Sequence, residues 1–272
     1  MELSEGTTLL VDGRSGTVIT DPSQSDIADR TEKEALFRKR AESVSGPGRL
    51  SDGHAVQLLG NAGTVDDVVA AARVGAEGIG LFRTELLFLD SQTEPSVAEQ
   101  VELYSKVFAA MAGKKVVIRT LDAGSDKPVP YINAIHEENP ALGVRGWRLT
   151  RTSNDVLNRQ LEALAQAKAK SDVDLWVMAP MINTPDEAAD FASRVNALGM
   201  GKAGVMIETP AAALHADRVL AEVEFGSFGT NDLTQYIMAS DRLDSRLSDM
   251  TTAWHPAVLR AISIATKSAA EL

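Results

Sequence analysis

The chain has 272 residues, 44% of them hydrophobic, enough to bury a sizeable core in one α/β barrel. Its net charge of -11 argues against non-specific binding to nucleic acid or to an anionic membrane surface, so an anionic substrate would need a local cluster of basic residues. With no cysteine, no apolar run of membrane-spanning length and no signal peptide at its start, it reads as a cytoplasmic protein without disulfide or thiol chemistry.

Residues 7–20 read as a hairpin, with Asp12-Gly13 and Gly16 in the turn and Asp21-Pro22 as the break. Residues 25–44 are charged and helix-favouring, with Ile27, Leu36 and Val44 loosely spaced, the pattern of a solvent-facing connecting helix. Ser45-Gly-Pro-Gly48 reads as a linker. Strand and helix patterns then alternate. Val56–Leu59 predicts a strand, and Thr64 caps a helix that runs to Val74 and stops at Gly75. Gly78–Phe82 predicts a strand and 97–112 a helix; Val116–Ile118 predicts a strand, followed by a helix over Asn154–Lys170 capped by Ser153. Leu175–Met178 is the next strand and Pro185–Leu198 the next helix, with proline in its first turn. Ala203–Ile207 is a strand, Thr209-Pro210 opens a helix to Leu220, Val223–Ser227 is the sixth strand, and His255–Ala270 a last helix.

Short apolar strands alternating with helices predict a parallel sheet covered on both faces. In a (β/α)₈ barrel the active site lies at the carboxyl ends of the strands. Polar residues stand at each such end: Asn61; Arg83 and Glu85; Arg119 and Asp122; Asn183; Glu208; Asn231 and Asp232. Glu208 and Asp232 end neighbouring strands, and two such carboxylates are costly unless a positive group lies between them. A hard divalent cation is the usual solution, and Mg²⁺ commonly takes one or two carboxylates plus a substrate phosphate. Arg83, Arg119 and Arg242 supply the planar forks that suit phosphate or carboxylate oxygens. Each residue alone has a plainer reading. Glu208 also suits a helix start, Asn231-Asp232 a helix cap, and Arg145 a partner for Glu137 or Glu138. Glu85 and Asp122 read as carboxylates that orient the arginines, and Met178, Met181 and Met206 as core.

The segments Gly78–Leu89 (GIGLFRTELLFL), Val117–Asp122 (VIRTLD), Glu137–Arg145 (EENPALGVR), Met206–Ala212 (MIETPAA) and Ser227–Arg242 (SFGTNDLTQYIMASDR) resemble the carboxyl-terminal barrel of enzyme I, the phosphoenolpyruvate–protein phosphotransferase of the bacterial sugar phosphotransferase system. Pyruvate phosphate dikinase and phosphoenolpyruvate synthase share that barrel, but Thr234-Gln-Tyr236 and Ser240-Asp-Arg242 look more like enzyme I. The resemblance implies a phosphoenolpyruvate-binding domain with Arg83 and Arg119 on the phosphoryl group, Arg242 and Asn231 on the substrate, and Glu208 and Asp232 on Mg²⁺. It places Arg145 and Lys127 as further basic residues around the pocket. It also implies homodimerisation through the barrel and phosphate transfer, by way of a histidine on a separate domain, to the phosphocarrier protein HPr.

Two departures shape the expected organisation. None of His54, His136, His215 and His255 stands in the family's Gly-rich Thr-Ser-His context, and the family's general-acid cysteine has no counterpart. The resemblance therefore divides the chain into residues 1–24, the end of a phosphohistidine domain; 25–48, a helical linker; and 49–272, a TIM-type barrel lacking its last two β/α units. Such a chain is expected to bind phosphoenolpyruvate weakly at best, not to complete transfer alone, and to associate through its open sheet edges. A dikinase or synthase fragment, and a non-catalytic dimerisation module, are the alternatives.

Overall fold

A computed structural model describes residues 4–13, 15–42, 46–89, 93–123, 129, 131–132 and 137–272. The hairpin forms as two antiparallel strands, β1 (Leu9–Asp12) and β2 (Thr17–Thr20), paired from Leu9–Thr20 to Asp12–Thr17. Helix α1 spans Gln24–Glu42 and is tied to the hairpin by an ion pair between Arg30 and Asp12 at 3.0 Å.

The main body is a six-stranded parallel sheet in strict chain order: β3 (Leu59–Ala62), β4 (Gly78–Arg83), β5 (Lys115–Arg119), β6 (Asp174–Ala179), β7 (Lys202–Ile207) and β8 (Phe225–Phe228). The helices between them are α2 (Val65–Arg73), α3 (Glu85–Leu89), α4 (Val97–Ala110), α5 (Asn154–Lys168), α6 (Pro185–Ala197), α7 (Pro210–Leu214) and α8 (Ala216–Leu220), followed after β8 by α9 (Thr230–Met238) and α10 (Pro256–Ala270). Consecutive pairing with helical crossovers is the order of a β/α barrel. The sheet is curled, because Asn61 at the first strand and Asn231 after the sixth line one pocket. In a flat sheet, five gaps of about 4.8 Å would hold those edges about 24 Å apart.

Alternation along the strands divides the apolar residues between two faces. Val116 and Ile118 join the main core under the helices, together with Phe82, Tyr104, Phe108, Leu157, Leu161 and Phe191. Val117, Met178 and Met206 form a second cluster on the concave face, with Leu81, Trp176 and Phe225 against them. Trp176 and Phe225 meet there with ring centroids 4.7 Å apart. Gly204 on β7 makes room for that stack, since a Cβ would stand 2.3 Å from the Phe225 ring. Gly204→Ala is therefore expected to lower stability by about 1–3 kcal/mol through overpacking, read as a fall in urea midpoint at unchanged slope.

The boundaries depart from the sequence reading in instructive places. The first sheet strand is Leu59–Ala62 rather than Val56–Leu59. Val56 and Leu58 are exposed, and the Leu58 amide donates to the Glu77 carboxylate at 2.8 Å. The apolar run is thus an approach to the sheet, which starts where Leu59 pairs with Gly78. The sixth strand is shifted to Phe225–Phe228, and the helix expected to run to Leu220 breaks at His215 into α7 and α8. Thr64 does cap α2, with a reciprocal Asp67 bond, but Ser153 makes no side-chain cap on α5. Among the described residues, no helix is long and apolar enough to cross a membrane.

Candidate functional site

The carboxyl ends of the strands enclose a pocket of about 260 Å³. Four arginines line it, Arg83, Arg119, Arg145 and Arg242, with four carboxylates, Glu85, Asp122, Glu208 and Asp232, and with Asn61 and Asn231. Every substrate- or metal-binding residue expected from the sequence is therefore here except Lys127, which lies outside the described residues; Asn183, the polar residue expected at the fourth strand end, does not line the pocket and bonds Glu187 and the Met181 carbonyl instead.

Arg119 ends β5, and Glu85 opens α3 immediately beyond β4. The Arg119 Nη2 donates to Glu85 Oε1 at 2.5 Å, and its Nη1 lies 3.5 Å from Asp122 Oδ2. Burial works against the Arg119 charge, but Glu85 and Asp122 outweigh it and hold the guanidinium firmly protonated. Arg145 is almost wholly buried and forks onto Asp122, Nε to Oδ1 at 3.1 Å and Nη2 to Oδ2 at 2.7 Å. Its Nη1 donates to Asp232 Oδ1 at 2.8 Å and to the Tyr236 hydroxyl at 3.3 Å. The plainer alternative, a pairing with Glu137 or Glu138, gives way to this bridge in the pocket, because the 3₁₀ helix Gly146–Arg151 turns Arg145 inward; the Trp147 amide fixes that turn by donating to the Pro180 carbonyl. Burial would raise the Asp122 pKa, yet Arg119 and Arg145 hold its carboxyl below the usual range. Arg242 approaches Asp232 Oδ2 at 3.5 Å, while Arg83 stands at the pocket mouth with no ion pair among the described residues. Asn231 and Asp232 lie inside α9, whose cap is Gly229, so the helix-cap reading of the pair does not hold.

Glu208 is the outlier. It is 1% exposed; its Oε1 accepts from the Met181 amide at 2.7 Å, and its Oε2 is buried with no hydrogen-bond partner among the described residues. Burial, reinforced by the negative charges of Asp122 and Asp232, pushes its pKa up to about 8. Met181 holds a left-handed backbone, φ 59°, which is strained for a non-glycine residue and aims its N–H at that carboxylate. Gly229 leaves space for Glu208, since a Cβ there would stand 2.4 Å from Oε2. An orphan carboxylate oxygen beside a second acidic pair is the donor set a hard cation satisfies. Among the described residues no cluster of three or more His, Cys, Asp or Glu forms a complete metal cage. A cation here would thus rest on two carboxylates, with the remaining positions left to water or substrate oxygens.

Sequence reasoning missed the strain at Met181, the Gly229 cradle and the Arg145–Tyr236 contact. The small residue after Phe228 was the available signal for the second; the other two depend on how distant segments meet.

Fold and pocket together define a β/α-barrel-type domain with a clustered arginine–carboxylate site at its strand ends. The chain belongs to the family described as PEP-utilising enzyme, PEP-binding domain, which it matches over residues 38–271. It is 46% identical over 98% of its length to the phosphoenolpyruvate-protein phosphotransferase of Streptomyces coelicolor, and 38% identical over 98% to that of Bacillus subtilis, covering 49% of each. It is also 40% identical over 96% of its length to a multiphosphoryl transfer protein of Xanthomonas campestris, of which it covers 32%. The chain therefore spans about half the length of the phosphotransferases it matches.

Proposed function

We propose that this chain is the phosphoenolpyruvate- and Mg²⁺-binding, dimerising portion of a cytoplasmic phosphoenolpyruvate–protein phosphotransferase, one that passes phosphate through an enzyme histidine to HPr in sugar uptake. The observation that carries the reading is the pairing, in one pocket, of four arginines with a buried glutamate that has an unsatisfied oxygen. The names of the relatives favour a phosphotransferase over a dikinase or synthase.

In this reading Arg83, Arg119 and Arg242 grip the phosphoryl and carboxylate oxygens of phosphoenolpyruvate, with the Asn231 amide beside them. Arg145 holds Asp122 and Asp232 at fixed positions, and Glu85 holds Arg119. Glu208 and Asp232 would hold Mg²⁺, which when bound supplies neutralisation of charge on the transferring group. Positioning and charge neutralisation are what such transfer requires of a protein. Lys127 is retained as a further basic residue of the pocket.

Residues 1–24 would be the end of a phosphohistidine domain, 25–48 its linker and 49–272 the barrel portion. Transfer by this chain alone is not expected: no cysteine is present to act as general acid, and none of the four histidines has the acceptor context. The test is a thermal melt of the chain, alone and with Mg²⁺ plus phosphoenolpyruvate. A ligand that binds only the native state raises the midpoint by mass action. A rise only when both are present supports the reading; a midpoint unmoved by the pair contradicts it.

A further inference from the structure

We infer that Gln160, on α5 and outside the pocket, is a positioning residue that brackets the two arginine-bearing strand ends together; this rests on the pocket being the phosphoenolpyruvate site. Gln160 is fully buried, and it uses both of its N–H donors and one of its two acceptor positions. Its Oε1 accepts from the Leu121 amide at 2.9 Å, and its Nε2 donates to Thr84 Oγ1 at 3.0 Å and to the Tyr104 hydroxyl at 3.1 Å. Thr84 Oγ1 in turn donates to the Arg119 carbonyl at 3.0 Å. Thr84 and Tyr104 are also fully buried.

The bracket sits where the sheet stops holding the chain. The β4–β5 ladder ends at the pair Arg83–Arg119. Beyond it the Leu121 amide needs a partner, as buried backbone groups do. Gln160 provides that partner, and Thr84 ties the β4 side to the Arg119 carbonyl. The residues so fixed lie between Arg83 and Glu85 on one side and between Arg119 and Asp122 on the other. The amide cannot be turned round, because its NH₂ would then face the Leu121 N–H, donor against donor. A satisfied buried network of this kind is rigid. It leaves Arg119 and Asp122 little freedom to drift from the geometry that meets the ligand.

The prediction separates positioning from plain stability. Phosphoenolpyruvate affinity is measured by calorimetry with saturating Mg²⁺, at a temperature where every variant is fully folded. Thr84→Val and Gln160→Leu are expected to weaken binding about tenfold or more, the scale seen when partners that orient binding residues are removed. Thr84→Ser keeps the hydroxyl and is expected to bind as the parent chain does. Tyr104→Phe cuts only the helix side of the bracket; it should lower the melting midpoint and leave affinity unchanged. Unchanged affinity in Thr84→Val, or an equal loss in Tyr104→Phe, overturns the inference. If Gln160→Leu fails to fold, the Thr84 pair decides alone. If the parent chain itself binds no phosphoenolpyruvate, the functional reading fails, and the bracket is judged by the Arg119 side-chain N–H signals of the free chain. Those signals should move in Thr84→Val and stay in Tyr104→Phe; no movement in Thr84→Val overturns it.

Discussion

Replacing Arg145 by leucine is expected to cost the fold about 3–5 kcal/mol, the penalty for breaking a buried ion pair from one side. Arg145 spans two carboxylates from different parts of the sheet, Asp122 beyond β5 and Asp232 on α9. Without the guanidinium, among the described residues Asp122 keeps one ion pair, the 3.5 Å contact with Arg119, and Asp232 one, the 3.5 Å contact with Arg242. Glu208, already destabilised by both acids, would face them with less compensation. Lysine should not restore the loss, because one ammonium cannot fork onto Asp122 while also reaching Asp232. Urea unfolding of the parent, Arg145→Leu and Arg145→Lys chains measures this directly. A loss below about 1 kcal/mol in the leucine variant, the scale of an exposed pair, would show that the bridge is not the strut described here.

Glu208→Gln is expected to act in two opposite directions. In the absence of Mg²⁺ the variant should melt above the parent, by about 2–4 °C for each kcal/mol recovered in a chain of this size. A glutamine can still accept from the Met181 amide, and it is neutral without the proton that folding forces the parent carboxyl to take up below about pH 8. The sign follows from the pKa. Folding raises it from an ordinary 4.5 to about 8, so the folded state resists ionisation. Stability is undiminished below the ordinary value and declines as pH rises through about 8. The glutamine variant should lack that decline. With Mg²⁺ and phosphoenolpyruvate the order should reverse: the parent gains and the variant does not, a stability–function trade. A glutamine variant that melts below the parent without ligand would contradict the account of Glu208.

How much of this was readable from the sequence depends on the range of the forces involved. The strand–helix alternation was legible because the four central strands are short and largely apolar, and Thr64 betrayed its helix through a local cap. Boundaries failed where tertiary pairing, not propensity, decides. Val56–Leu58 looks like strand but joins no strand of the sheet, the Val56 amide donating instead to the Gly48 carbonyl, whereas Leu59–Ala62, with Gly60 and Asn61, looks poor and pairs with β4. The pocket residues were legible as polar groups at strand ends and through the resemblance of their segments. Their partnerships were not. Arg145 reaches Asp232 across 87 positions, and Gln160 reaches Thr84 across 76. No local pattern reports such contacts. The carboxylates also have partners that no local pattern announced: Asp232, expected as a metal ligand or a helix cap, is paired with Arg145 and Arg242.

The central claim is that a cation and phosphoenolpyruvate occupy the strand-end pocket together. Calorimetric titration of phosphoenolpyruvate into the chain, with and without saturating Mg²⁺, addresses it most directly. The account predicts saturable binding that requires Mg²⁺ and disappears in Glu208→Gln. Absence of heat with both ligands present, or the same affinity with and without Mg²⁺, would contradict it.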